Sequence, residues 1–367
     1  LLCVGLCVVV LLRPGGTDTL VTALGRTAFL PVFVAALGLL RAAADSSGTV
    51  ARAGRVLVSQ PPSRRYAALT VGGQIFGVLL NIGGLALLLD MTRRANTLEA
   101  AYGEPQVVAL REKRMTLAIL RGFSTMPAWS PLGLALNLLI AFMPDVAWMD
   151  VAPAGFLAAF CFMALGFVFD RLENPPARRP PVKLEGPGGG WAVAAMIGHI
   201  TLLCGLAFGA ELATDWPFQA VLINLIPLYA VGWLLASGLK QPVGPLAYAG
   251  RILREDGLAK WPTYANEISI FAASGLMGVI LSDLAPREAL QALVSGLELP
   301  AGVFAAGLAA TVVGLGFIGI HPMITAAIRA GTFASIAVPG LSHANIVLAL
   351  AGGWVCIAGI GPLMSSL

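Results

Sequence analysis

The sequence predicts an all-α, polytopic integral membrane protein of about nine to twelve membrane segments, some broken or re-entrant, arranged as two structural repeats. Three observations carry this prediction. Of 367 residues, 57% are hydrophobic and 11% charged, with a mean hydropathy of +0.84, whereas soluble domains carry about a quarter charged residues. Apolar runs of the ~20 residues needed to cross a bilayer recur along the whole chain. Two longer runs are interrupted by proline at corresponding places in the two halves. The 43 glycines and 24 prolines suit membrane helices that pack closely and break deliberately.

Taken in order, residues 1–12, LLCVGLCVVVLL, read as the end of a truncated first helix, lacking the basic flank of a signal peptide. Apolar spans follow at 20–40, 66–89, 153–169, 191–208, 217–239, 262–281 and 346–363. Two blocks, 115–142 and 301–338, are too long or too interrupted for one straight helix. The segment 172–190, LENPPARRPPVKLEGPGGG, has linker composition and divides the chain into a first repeat (1–171) and a second (191–367).

Charge bias sets the expected orientation. The loop 41–65 holds Arg41, Arg52, Arg55, Arg64 and Arg65 against Asp45, while Asp145, Asp150, Glu211 and Asp215 lie in short acidic turns. The first loop and the linker are therefore expected in the cytoplasm and the acidic turns outside. The loop 240–261 is also net basic, which requires the 115–142 block to cross twice or to re-enter as a hairpin. This favours parallel repeats, although the nearly balanced segment 90–114 leaves inverted repeats open.

The chemistry is expected at the two breaks. In RGFSTMPAWSPLGLALN, residues 121–137, Pro131 cannot donate a backbone hydrogen bond and disfavours helix before it. One helix should end near Ala128 and another begin at Pro131, with Ser130 as its N-cap. The second break has the same build at Ile320, His321, Pro322, Met323, Ile324 and Thr325, followed by Arg329. In hydrocarbon, freed backbone groups must find protein, ligand or a wet cavity. Two half-helices starting there would present amide groups and positive dipole ends to an anion. The bland alternative is a pair of proline kinks packed against neighbours.

Expected substrate-binding residues are Arg121, Ser124, Thr125, Trp129, Ser130, Asn137, His321, Thr325 and Arg329. Burying a guanidinium in a bilayer costs at least ~2.5 kcal/mol, so an intramembrane arginine needs a partner or a function. For Arg121 the alternatives are snorkelling or pairing with Glu267. Asn266, Glu267 and His321 are the candidates for ion coupling, since a buried carboxylate or imidazole can take up and release a proton. His199 reads as an interhelical hydrogen bonder, as do Gln74, Asn81 and Asn224. Trp148, Trp191, Trp216 and Trp261 read as interfacial anchors.

The net charge of +4 lies in loops between spans and sets topology, not nucleic-acid binding. Cys3, Cys7, Cys161, Cys204 and Cys356 sit in apolar runs without paired spacing, so neither a disulfide framework nor a metal cluster is expected. No GxSxG, HExxH or Walker loop occurs, and no cofactor is expected.

The segments STMPAWSPLGLALN (124–137) and GIHPMITAA (319–327) resemble the interrupted elements of the ion-transporter superfamily of bacterial secondary carriers, which includes dicarboxylate, citrate and arsenite permeases. That resemblance implies two inverted repeats, each with a re-entrant hairpin and a broken helix that binds substrate and coupling ion. The expected protein is a non-enzymatic, multi-pass permease of the bacterial inner membrane. It would carry a small anion with a proton or sodium ion, with a homodimer as the candidate assembly. The competing expectations are a membrane enzyme acting on a lipid-linked substrate, with His321 or Glu267 as base, and a non-catalytic membrane subunit of a larger complex.

Overall fold

The computed structural model describes residues 2–101, 103–174, 190–214 and 216–360. The expected linker at 172–190 lies almost wholly outside the described residues, as do Asp215 and the side chain of Arg26. Among the described residues there are sixteen α-helices and no strand. In chain order they are α1 (Leu2–Leu11), α2 (Gly16–Asp45), α3 (Gly48–Val58), α4 (Pro62–Leu80), α5 (Ile82–Ala95), α6 (Pro105–Ser124), α7 (Leu134–Phe142) and α8 (Trp148–Glu173). There follow α9 (Gly190–Ala213), α10 (Phe218–Gly238), α11 (Pro245–Ile252), α12 (Ala265–Leu284), α13 (Arg287–Gly296), α14 (Ala301–Phe317), α15 (Pro322–Phe333) and α16 (His343–Ile360). Prolines open α4, α6, α11 and α15, where the missing N–H costs nothing.

Five segments are long and apolar enough to cross a membrane: α2, α8, α9, α10 and the stretch Pro245–Leu284, while α14 and α16 are shorter apolar helices. Both long blocks are broken, 115–142 between α6 and α7 and 301–338 between α14 and α15. The expected single span at 66–89 is not one helix. It stops at Asn81, which has φ 51°, and turns back into α5. Asparagine tolerates that region better than most residues. Gly84 makes the return tight, for a Cβ there would stand 2.3 Å from the Phe76 carbonyl oxygen.

The helices form two compact units. Unit 1 comprises Leu1–Ala35, Pro127–Phe156 and Trp261–Leu367; unit 2 comprises Ala36–Met126 and Leu157–Lys260. Each unit thus draws on both the 1–171 and the 191–367 segments. In unit 2 the central contact is α4 on α6, a crossing made of glycine. A Cβ on Gly122 would lie 1.8 Å from the Thr70 carbonyl oxygen, and one on Gly73 would lie 2.2 Å from that of Ile119. Small residues let helices approach to this distance, where dispersion and main-chain contacts add to the packing. In unit 1, α12 packs on α15 and α14 on α16. Gly278 of α12 meets Phe142 of α7 and Ala327 of α15.

Candidate functional site

The second break is built by two capping devices. Gly319, at φ 90°, ends α14: its N–H donates to the Gly316 carbonyl, and that of Ile320 to the Leu315 carbonyl. This is the Schellman arrangement, which needs a residue without Cβ strain at the left-handed position. His321 then caps α15, its Nδ1 accepting from the Met323 N–H at 3.2 Å. The amides expected to face an anion are therefore partly taken, since the Ile324 N–H also donates to the His321 carbonyl.

The first break differs from its expected form. Ser130 is not an N-cap: residues 130–133 form a turn closed by the Gly133 N–H on the Ser130 carbonyl, and α7 begins at Leu134 with Gly133 at the cap position. Proline at 131 fits the turn, so the helix starts three residues later than Pro131. Asn137 holds this turn, donating from Nδ2 to the carbonyls of Pro131 at 2.7 Å and Gly133 at 3.0 Å. It therefore acts on the break itself.

Both half-helices pack on α16. The end of α7 is tied to the start of α16 by Asp145 and His343, at 2.5 Å. The start of α15 lies at the other end, where the His321 ring stands edge-on to Trp354 with centroids 6.5 Å apart. Both α7 and α15 therefore run antiparallel to α16 and begin toward the same end of it.

Buried polar groups in native proteins are nearly always hydrogen-bonded, so the exceptions are informative. Among the described residues four buried side-chain atoms lack a partner, and three of them are hydroxyls of unit 1: Thr27 Oγ1, Ser130 Oγ and Thr325 Oγ1. Thr325 lies one turn into α15, and Arg329 follows one turn later on the same face. Arg329 is half-buried and makes no hydrogen bond or ion pair among the described residues. Thr27 was not among the expected site residues. It packs against Gly275 of α12, where a Cβ would lie 3.2 Å from its Oγ1. Its only sequence signal is a hydroxyl within an apolar run.

Arg121, Ser124 and Thr125 belong to unit 2. Arg121 donates to the Tyr66 hydroxyl and to the Gly166 carbonyl, the latter at 2.8 Å, so neither snorkelling nor a Glu267 pair describes it. The Ser124 and Thr125 hydroxyls donate back to the carbonyls of Arg121 and Gly122, and Gln74 donates to Thr125 Oγ1 at 2.9 Å. Trp129 packs edge-on against Phe156, and its carbonyl accepts from Trp148 Nε1 at 2.9 Å. Asn266 and Glu267 fall in the first turn of α12, the former exposed. His199 does bridge helices, 2.7 Å from the Tyr229 hydroxyl and stacked on Trp233. Asn224 instead donates to the Ala220 carbonyl of its own helix.

The fold and these sites define a helical protein with several helices apolar enough to cross a membrane. No protein family, curated protein or solved structure matches the chain.

Proposed function

We propose that this protein is a secondary carrier of the bacterial inner membrane that moves a small anion, driven by a proton or sodium gradient. The substrate would bind in unit 1 between the starts of α7 and α15. One observation carries the reading: the Thr325 hydroxyl is buried without a partner, and Arg329, one turn on along the same face, is unpartnered too. A bound oxyanion supplies what both lack, accepting from the hydroxyl and from the guanidinium fork. The Ser130 hydroxyl would complete the site, since α7 begins toward the same end of α16 as α15. Hydroxyls alone would also suit a sodium ion, but the neighbouring positive charge favours an anion.

The role first expected of Arg121 passes to Arg329 in this reading, and His321 serves as the cap that fixes the start of α15. The two-repeat layout and the likeness to dicarboxylate and citrate permeases belong to the same proposal. Uptake into proteoliposomes of a panel of labelled oxyanions, with and without an imposed proton or sodium gradient, tests it. Gradient-driven uptake that fails in Arg329→Gln and persists in Arg121→Gln is the expected result. Turnover of a lipid-linked substrate in detergent, with no gradient-driven uptake, would overturn it.

A further inference from the structure

Unit 2 contains a basic cavity that the carrier reading does not use. It is lined by Val58, Pro62, Arg65, Asn96, Arg111 and Met115. A depression sharing Arg65 and Arg111 extends it to Tyr66 and Arg114. Three guanidiniums thus converge from α4 and α6. The Arg65 Nε donates to the Gln60 carbonyl at 2.9 Å, which fixes the group beside the cavity that it lines. Arg111 donates to the Ala100 carbonyl, which holds the α5–α6 loop over the cavity. Arg114 is neutralised by a two-pronged pair with Asp170 at 2.9 and 2.7 Å. Among the described residues Glu112 is committed to Arg93, at 3.5 Å, and Arg65 has no carboxylate. Burial, together with the charges of Arg111 and Arg114, pushes Arg65 below its ordinary pKa.

Asn96 adds a second requirement. Its Nδ2 donates to the Val108 carbonyl at 2.9 Å, while its Oδ1 is buried with no partner. A ligand here must bring both an anion for the arginines and a neutral donor for the amide oxygen. Phosphate with an ammonium group would set a cation among guanidiniums, whereas phosphate beside a hydroxyl meets both demands.

The geometry points to a binding site for a glycerol phosphate group, its phosphate on Arg65 and Arg111 and a glycerol hydroxyl on Asn96. The group can arrive as a phosphatidylglycerol headgroup or as a soluble phosphate ester, and the experiment separates the two. Thermal unfolding of the purified full chain in neutral detergent is followed with short-chain phosphatidylglycerol, short-chain phosphatidylethanolamine, and free glycerol phosphate. Phosphatidylglycerol should raise the midpoint and phosphatidylethanolamine should not. Stabilisation by free glycerol phosphate assigns a soluble ester, and stabilisation by the lipid alone assigns a headgroup. Arg65→Gln and Arg111→Gln, on different helices, should each weaken the effect by about ten-fold, the loss of one charge-assisted hydrogen bond. Asn96→Ala should reduce the advantage of glycerol phosphate over inorganic phosphate. Arg55→Gln, an exposed arginine of α3 outside the cavity, should leave the effect unchanged. No stabilisation by either glycerol phosphate source, equal stabilisation by phosphatidylethanolamine, or equal loss in Arg55→Gln would overturn the assignment. None of these readouts depends on transport by unit 1.

Discussion

Asn137 donates from one amide nitrogen to two carbonyls of the turn before its own helix, those of Pro131 and Gly133. A break in an apolar bundle leaves main-chain oxygens without water, and here a side chain one turn downstream satisfies them. Asn137→Leu should therefore leave the Pro131 carbonyl orphaned, while the Gly133 carbonyl keeps the main-chain N–H of residue 137, and destabilise the protein by about 1–3 kcal/mol. Chemical unfolding in detergent checks this, and an unchanged midpoint would mean that the turn holds itself.

Thr325 makes the opposite prediction. Its hydroxyl is buried and unsatisfied at rest, so Thr325→Val keeps the shape and removes an uncompensated polar group. The variant should unfold no more easily than the parent, up to about 1–3 kcal/mol later, and yet lose uptake of the carried anion. A hydroxyl with a purely structural role would give a loss of stability in the same measurement.

The α4–α6 crossing predicts a steep dependence on side-chain size. Gly122→Leu should unfold or misassemble unit 2, because even a Cβ would strike the Thr70 carbonyl. Gly205→Ala, where nothing lies within 4 Å of an added Cβ, should be neutral or mildly stabilising. Expression level and thermal midpoint compare the two.

Asp170 is 4% exposed and paired with Arg114, which is 29% exposed. Removing one member of a buried pair strands the other, at roughly 3–5 kcal/mol where water is excluded. Because water reaches Arg114, Asp170→Asn should fall at the lower end of that range, measured by unfolding at neutral pH.

The two breaks were legible in the sequence to different degrees. His321-Pro322 carries its whole mechanism locally, with Gly319 to end one helix and a capping side chain to begin the next, so the chain states it in four residues. Ser130-Pro131 misleads, because proline serves equally in the first turn of a helix and in the turn that precedes one, and Asn137 selects the second. The reversal at Asn81 carries no proline and lies in an unbroken apolar run; tight packing of Gly84 against Phe76 makes it, and that contact cannot be seen one residue at a time. Arg121 and Ser130 are nine positions apart and belong to different compact units, a division set by long-range packing. Arg329 was visible as a charge within an apolar block, but its lack of a partner among the described residues is a property of the fold.

The central claim is that the breaks before α7 and α15 line one anion site, and site-directed cross-linking tests it most directly. In a background with the five native cysteines replaced, Ser130→Cys and Thr325→Cys are introduced together, and a short bifunctional thiol reagent is applied. The account predicts a cross-link, since a small ligand and its contacts span roughly 10 Å. Failure of the pair to cross-link, while each single cysteine reacts freely, would contradict a shared site.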